Sequence, residues 1–336
     1  MKTEHKIIDA MVARAQRQAD RRSFLRTSGG TAVAVAGTGL LAGCFDNDSD
    51  RPRQPDTGGT PSPTPPAAIG VADVLNFALN LEYLEAQFYS FAAFGQGLPA
   101  NLLTGTGTQG GVTGGRRVTF TDPLVARYAV EIAQDERAHV AFLRRALGNA
   151  AVAQPPIDIS ADPNGPFSAA ARAAGLIGAG QTFDPYASDE NFLLGAYIFE
   201  DVGVTAYKGS ASLLMSNDTF LEAAAGILAA EAYHAALVRT VLFGKGITTP
   251  APALIDATER ISNARDSLDG PSDLDQGVAI RDNASNLVPT DANGIVFSRT
   301  APQVLNIVFL TRMAAQQGGF FPRGVNGAIT TSSAAG

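Results

Sequence analysis

Cysteine, histidine and tryptophan are scarce in this sequence of 336 residues, which has one cysteine, three histidines and no tryptophan. Because Cys44 is the only cysteine, the chain has no internal disulfide bond and no thiol pair for metal binding or redox chemistry. The His-Glu-x-x-His motif of zinc proteases and the elbow motif of serine hydrolases are also absent. The glycine-rich segment 96–117 lacks the lysine and the spacing of a phosphate-binding loop.

Charged residues are also few: they make up 17% of the sequence, and the net charge is −7. An acidic chain of this kind is a poor ligand for nucleic acid, so we expect no nucleic-acid partner, whereas it suits a protein that handles cations. With 45% hydrophobic residues the chain is long enough to build a sizeable core.

The N-terminal 43 residues have the pattern of an export signal: a basic region, a short apolar run and a small-residue site before Cys44. Arg21 and Arg22, followed by Ser-Phe-Leu-Arg, resemble the twin-arginine export motif, and Leu-Ala-Gly-Cys at 41–44 resembles a lipobox. The alternative is a transmembrane anchor, but the apolar run 28–43 is shorter than the roughly 20 residues that a span needs.

We therefore predict a twin-arginine lipoprotein signal over 1–43, lipidation of Cys44, and a location in the cell envelope or periplasm, attached to a membrane. Residues 44–66 are rich in proline, serine, threonine, aspartate and glycine, and this composition predicts a disordered tether.

Helical periodicity predicts an all-α fold over 67–246, built from two helix pairs that one long crossover joins. Asp122 and Ser188 are the expected N-caps, the fourth helix is expected to begin at about Asn217, and Gly244 and Gly246 are expected to end it. The predicted helices span 67–94, 123–147, 188–215 and 217–243, and the crossover, with at most a short helix, spans 149–187.

Residues 247–336 form a C-terminal extension, which we expect to pack on the bundle because its helices are too few to make a core. A helix is expected over about 251–268. The extended pieces 277–281 and 294–298 are candidates for a short hairpin. Thr300 and Gln303 have the spacing of a capping box, which predicts a helix to about Gln316.

Two helices carry a carboxylate and an imidazole on their apolar faces. In EIAQDERAHVAFL, Glu136 and His139 lie on the stripe of apolar residues, and Glu231 and His234 repeat this Glu-x-x-His spacing in AAEAYHAALV. Residues three apart share one helix face, so each pair can offer a carboxylate and an imidazole to the same metal site.

The other two helices each place one glutamate on the apolar stripe. Glu82 and Glu200 are both followed seven residues later by a tyrosine, Tyr89 and Tyr207, so the two halves resemble a diverged internal repeat. The tyrosines are either hydrogen-bond donors to the ligands or aromatic rings that fill the bundle.

Single Glu-x-x-His pairs also occur as a surface glutamate beside a core histidine. Two such pairs on apolar stripes, with two glutamates in register, favour a metal site instead. Glu85 is the alternative to Glu82 on the first helix, and Glu131, Asp135 and Asp201 are interpreted as solvated or as partners of the ligands.

The order Glu, Glu-x-x-His, Glu, Glu-x-x-His over four helices resembles the ferritin-like superfamily of dimetal carboxylate proteins. The export signal and the C-terminal motifs SRTAPQVLNIVFLT and GGFFPRGVNG are similar to those of the family that includes plant desiccation-related proteins and bacterial lipoproteins. The resemblance implies a ferritin-like four-helix bundle with two divalent iron or manganese ions. The ligands that it implies are Glu82, Glu136, His139, Glu200, Glu231 and His234.

Two classes of function remain open. The first is a dimetal oxidoreductase of the ferroxidase or peroxidase/catalase kind, which acts on O2 or peroxide and oxidises Fe(II) or removes peroxide. The second is a non-catalytic envelope or desiccation-protective protein. We expect a monomer or dimer rather than a cage, because the tether, the lipid and the extension would obstruct shell contacts.

Overall fold

The computed structural model describes residues 69–249 and 253–334, and four long helices form its central part. The predicted signal 1–43 and tether 44–66 lie outside the described residues. The long helices are α1 (Val71–Phe94), α2 (Pro123–Leu147), α4 (Asp189–Ser210) and α5 (Asp218–Thr248). The crossover between α2 and α4 contains the short helix α3 (Pro166–Ala173), and the extension contains α6 (Leu254–Asp269) and α7 (Ala301–Val308).

The helices pair as antiparallel hairpins, α1 with α2 and α4 with α5. Near one end of the first hairpin, the Asn76 side chain donates to the carbonyl of Ala150, 3.0 Å away; near the other end, the Val118 amide donates to Ala92. The predicted all-α class, with two hairpins and one long crossover, is confirmed.

Local sequence signals set the starts of the helices. The side chains of Asp122, Ser188 and Asn217 each accept a hydrogen bond from a backbone N–H of the first turn, and the caps at Asp122 and Ser188 were predicted. Pro123 occupies the first turn of α2, where its missing N–H removes no hydrogen bond. Gly95 ends α1 with φ 73°, the left-handed conformation that glycine adopts without strain.

The crossover is tied to the loop after α1 by a small parallel sheet that the sequence did not predict. Strand β1 (Val112–Gly114) pairs with β2 (Ile157–Ile159), with Val112 opposite Ile157. The hairpin expected in the extension does not form, since 277–281 and 294–298 do not pair with each other. Isolated bridges link Arg281 with Ala284 and Thr290 with Val296 instead.

Helix α5 runs past both glycines that were expected to end it, so that prediction was wrong. A Cβ atom on Gly246 would lie 2.6 Å from Cγ1 of Ile255, at the start of α6. The glycine therefore permits close packing of the next helix rather than a cap. The 31 residues of α5 are long and apolar enough to cross a membrane by length and composition, but in this fold α5 is a bundle helix.

Helix α7 begins at the predicted capping box of Thr300 and Gln303 but ends at Val308, well short of Gln316. The chain reverses at Leu310, which has φ 53°, and the Phe320 amide donates to the Val308 carbonyl at 2.9 Å. The tail GGFFPRG therefore takes the hydrogen bonds that a longer helix would have used.

A buried network of arginine and aspartate side chains attaches the extension to the bundle. Arg239 Nη1 on α5 donates to Asp201 on α4 at 2.7 Å, and Arg265 Nη2 on α6 reaches the same carboxylate at 3.1 Å. Arg299 donates to Asp269 at 2.6 Å and to Asp275 at 3.1 Å. Asp201 is therefore a buried partner of the extension, not a solvated residue.

Candidate metal centre

Six side chains from the four bundle helices converge in the middle of the bundle. Glu82, Glu136, Glu200 and Glu231 are at most 1% exposed, and His234 is 3% exposed. His139 is the most open of the six, with 12% of its side chain exposed. Each of them shares one face of its helix with apolar residues. That face is turned to the bundle interior, because its apolar residues pack against the neighbouring helices.

The first group of ligand atoms surrounds His139. Its Nδ1 lies 3.2 Å from Glu82 Oε2, 3.7 Å from Glu136 Oε2 and 3.8 Å from Glu231 Oε1. The ligand atoms of these four residues all lie within 4.8 Å of one another, which is close enough to surround one cation.

The second group surrounds His234. Its Nδ1 lies 3.1 Å from Glu136 Oε1 and 3.7 Å from Glu200 Oε2. Glu136 thus offers one oxygen to each group, and the two imidazole rings are 6.2 Å apart between their centroids. A carboxylate that faces two groups in this way is placed to bridge two metal ions.

The polar atoms of the cluster lack enough protein partners. Both carboxylate oxygens of Glu136 and Glu231, one oxygen of Glu200 and Nδ1 of His234 are buried without a regular hydrogen bond. An unpaired buried carboxylate costs several kcal/mol, so three carboxylates with such oxygens in one place need cations. Oxygen and imidazole ligands suit iron and manganese, and this donor set therefore fits two divalent ions of that class.

The carboxylates differ in charge state when no metal is bound. Burial, together with the charge of Glu136, raises the pKa of Glu82 to about 7, and burial raises that of Glu200 to about 8. Burial also raises the pKa of Glu231 well above its usual range. For Glu136 the effect of burial is outweighed by the close approach of the His139 and His234 imidazoles, one to each of its oxygens, which lowers its pKa to about 2.

For the two histidines, burial and the neighbouring carboxylates shift the pKa in opposite directions, and the carboxylates have the larger effect. Burial alone would lower the pKa of His139, but the carboxylates of Glu82 and Glu136 raise it to about 11. For His234 burial is likewise outweighed by Glu136 and Glu200, and its pKa rises to about 9. In the metal-free protein, protons on the imidazoles therefore occupy the positions that metal ions would take.

Tyr89 and Tyr207 link the two hairpins. The Tyr89 hydroxyl on α1 donates to Glu200 on α4, and the Tyr207 hydroxyl on α4 donates to Glu82 on α1. Each tyrosine therefore holds the glutamate of the other half of the repeat, so that the remaining oxygen of that glutamate faces a histidine.

The four acidic residues noted near the site have different positions. Asp135 Oδ2 lies 3.3 Å from His234 Nε2, so Asp135 can fix the tautomer that leaves Nδ1 free for a metal. Glu131 is exposed, and Asp201 points to the arginine network. Glu85 is buried but belongs to neither ligand group.

Gly203 is a contributor that the sequence reading missed. A Cβ atom on this residue would collide with Glu231 Oε2 and would lie 3.4 Å from Glu85 Oε1. The register of the repeat contained the signal: Glu82, Glu85 and Tyr89 on α1 align with Glu200, Gly203 and Tyr207 on α4. A glycine opposite a glutamate leaves room for a carboxylate.

Two antiparallel helix pairs, each with one glutamate helix and one Glu-x-x-His helix, define the class of four-helix-bundle proteins that hold two metal ions through carboxylates and histidines. The chain belongs to the ferritin-like domain family, whose model matches residues 70–244. The proposed ligands all fall within this range, and their role as ligands stays a prediction.

Two similar proteins come from plants. Over 268 residues the chain is 28% identical to the ferritin-like catalase Nec2 of Nesocodon mauritianus, a match that covers 76% of this chain and 84% of the relative. It is also 28% identical to the desiccation-related protein PCC13-62 of Craterostigma plantagineum over 267 residues, 76% of this chain and 82% of the relative. No solved structure matches the chain.

Proposed function

We propose that this protein binds two iron or manganese ions and breaks down hydrogen peroxide outside the cytoplasm. The observation that carries the proposal is the convergence of four buried glutamates and two histidines, of which Glu136, Glu200, Glu231 and His234 have buried ligand atoms without a hydrogen-bond partner in the described residues. The choice of peroxide is supported by the name of the ferritin-like catalase among its relatives.

The two metals, when bound, would exchange electrons with peroxide, so that one molecule is reduced to two waters while a second is oxidised to O2. Glu136 would hold both ions, His139 with Glu82 would hold one, and His234 with Glu200 the other. Glu231 completes the first group. These residues neutralise the charge of two divalent ions and keep them close enough to act on one small molecule.

The neighbouring residues orient the ligands. Tyr89 and Tyr207 hold Glu200 and Glu82 through their hydroxyls, and Asp135 holds His234 through Nε2. Asp135 is 49% exposed, so protons released by the buried ligands have a carboxylate at the surface as their next acceptor.

The location of the reaction is part of the proposal. Arg21, Arg22 and Cys44 support export by the twin-arginine pathway and a lipid anchor in the cell envelope. A site that destroys peroxide there would protect the envelope from oxidation. A non-catalytic protective role is the second candidate, because the other relative is named for desiccation.

The test is oxygen evolution by the metal-loaded protein. Purified protein would be analysed for iron and manganese and then given hydrogen peroxide without a reductant, and we expect one O2 for every two molecules of peroxide consumed. His139→Ala should abolish this activity and lower the metal content, whereas the control Glu131→Ala, exposed on the same helix, should leave both unchanged.

Other outcomes separate the alternatives. Peroxide consumption that needs a reductant and releases no O2 would identify a peroxidase, and oxidation of added Fe(II) without peroxide turnover would identify a ferroxidase. Full metal loading with none of these activities would support the protective role and overturn the proposed reaction.

A further inference from the structure

A small cavity lies between α1 and α4, beside the metal centre. Its volume is about 20 Å³, and the side chains that line it are buried. The wall is apolar except for Glu85. The main apolar lining residues are Leu81, Leu84, Val202, Ile307, Val308 and Phe320.

Glu85 is a buried carboxyl group without a polar partner. Its side chain is 5% exposed and makes no hydrogen bond or ion pair with any residue in the described ranges 69–249 and 253–334. It also lies outside both groups of candidate metal ligands. A carboxyl group in this position is costly unless another molecule completes its hydrogen bonds.

Gly203 connects this cavity with the metal centre. The position of its missing Cβ atom lies 3.4 Å from Glu85 Oε1 and is filled on the other side by Glu231 Oε2. The carboxyl of Glu85 and the carboxylate of Glu231, a member of the first ligand group, therefore both lie beside Gly203. A molecule held by Glu85 would therefore lie close to Glu231 of the first ligand group.

The size and chemistry of the cavity limit its ligand. A volume of about 20 Å³ exceeds the roughly 10–15 Å³ that one water-sized molecule needs, and it excludes organic substrates. An anion is disfavoured, because no cationic side chain lines the wall and Glu85 is acidic. The remaining class is a neutral molecule of one or two non-hydrogen atoms that both donates and accepts hydrogen bonds.

We propose that this cavity is the binding site for hydrogen peroxide and that Glu85 is the residue that binds it by hydrogen bonds before it reaches the metals, an inference that rests on the proposed function. The C-terminal extension has a role in this site, because Ile307 and Val308 of α7 and Phe320 of the tail form its outer wall. The extension thus closes the peroxide site against larger molecules.

Two pairs of variants test the proposal in the metal-loaded protein. Val308→Ile adds a methylene group inside the cavity, and Val304→Ile adds the same group one turn away on α7, at a buried residue that does not line the cavity. We expect Val308→Ile to raise the KM for peroxide by about tenfold with little change in kcat, and Val304→Ile to leave KM unchanged.

Glu85→Leu removes the hydrogen bonds but preserves the volume, and Glu85→Gln preserves the hydrogen bonds. We expect the leucine variant to raise KM by about tenfold and the glutamine variant to stay within about threefold of the wild type. Both should keep the wild-type metal content, since Glu85 is not a proposed ligand. Loss of metal from Glu85→Leu would show that it is a metal ligand and would overturn the proposal.

A structural measurement does not depend on turnover. Crystals of the metal-free protein soaked in hydrogen peroxide should show a two-atom molecule hydrogen-bonded to Glu85 in the wild type and none in Val308→Ile. If the wild type evolves O2 but the cavity stays empty and both variant pairs keep wild-type KM, the peroxide site is elsewhere. If the wild type evolves no O2 at all while metal is bound, the proposed function itself is wrong.

Discussion

Glu136 differs from the other glutamates of the cluster because both histidines lie against it, one at each carboxylate oxygen. It alone of the four has a lowered pKa, whereas burial raises those of Glu82, Glu200 and Glu231. Below about pH 7 the metal-free site therefore consists mainly of one charged carboxylate, Glu136, between two protonated imidazoles. Metal binding must displace these protons.

This arrangement predicts an unusual pH dependence for the metal-free protein. The raised pKa values of Glu82, Glu200, His234 and His139 mean that their protonation stabilises the fold below the unfolded values of 4.5 and 6.5. That stability is lost as the pH rises through the folded values of about 7, 8, 9 and 11. We expect the melting temperature of the metal-free protein to fall between pH 5 and pH 9.

The metal-loaded protein should behave in the opposite way, because ligands bind metal only when deprotonated. The difference in melting temperature between loaded and metal-free protein, measured by calorimetry from pH 5 to pH 9, should widen as the pH rises. Glu136, with a pKa of about 2, contributes stability that is lost only in strong acid. A difference that is constant or narrows with pH would contradict the proton–metal exchange.

The candidate ligands were accessible from the sequence because i, i+3 spacing fixes which side chains share a helix face. The environment of Glu85 was not, since its burial depends on Gly203 of another helix and on the wall that α7 provides. Asp201 was misread for a similar reason. Its partners Arg239 and Arg265 lie 38 and 64 positions further along the chain, and no local sequence pattern indicates these contacts.

Among the elements, α6 and the segment before α7 depend on buried charges for their attachment. Arg299 is fully buried and binds Asp269 and Asp275, and its backbone N–H donates to the Thr205 carbonyl on α4 at 3.0 Å. Gly209 of α4 permits this approach, because a Cβ atom there would collide with the Arg299 carbonyl.

Removing Arg299 should therefore be costly. Arg299→Ala leaves the buried carboxylate of Asp269 without its partner and leaves Asp275 with Arg265 alone, and we expect the free energy of unfolding to fall by about 3–5 kcal/mol in denaturant titrations. The control is Arg281→Ala, because the Arg281–Glu259 pair is at the surface and contributes less than about 1 kcal/mol. Equal losses in the two variants would show that the buried network does not fasten the extension.

Element starts were predicted better than element ends. The caps at Asp122, Ser188, Asn217 and Thr300 depend on local hydrogen bonds, which a few residues encode. The ends of α5 and α7 depend on which distant segment packs there, and so does the pairing of β1 with β2 across the crossover. A glycine near the end of a helix can either cap the helix or permit close packing of another segment, and the sequence alone does not distinguish these two roles.

At the scale of the whole molecule, the proposed export signal over 1–43 and the proposed lipidation of Cys44 would set where the protein acts. Arg21→Lys combined with Arg22→Lys should hold the precursor in the cytoplasm, because the arginine pair is the part of the signal that its receptor reads. Cys44→Ala should separately remove the lipid anchor, so that the protein no longer sediments with membranes. Cell fractionation with immunoblotting measures both. Normal export of the double variant would exclude the twin-arginine pathway, and unchanged membrane association of Cys44→Ala would exclude the lipid anchor.

The same site should couple the two hairpins of the bundle. The ligand groups draw on all four long helices, and the bonds from Tyr89 to Glu200 and from Tyr207 to Glu82 cross between the hairpins. A metal ion that binds this arrangement binds only the folded state. The stability of the whole bundle should therefore depend on the concentration of metal.

Fe(II) or Mn(II) added to the metal-free protein at about 100 times its dissociation constant should raise the melting temperature by about 5–10 °C. The double variant Glu82→Ala, Glu200→Ala should lose this shift yet keep its helical content, because alanine is a good helix former in the middle of α1 and α4. Glu222→Ala with Glu131→Ala is the matched control, since both residues are exposed on bundle helices. Without Glu82 and Glu200 the site has only Glu136, Glu231 and the two histidines to hold two ions. If the double variant Glu82→Ala, Glu200→Ala still showed the full metal-dependent rise in melting temperature, these two glutamates would not be ligands.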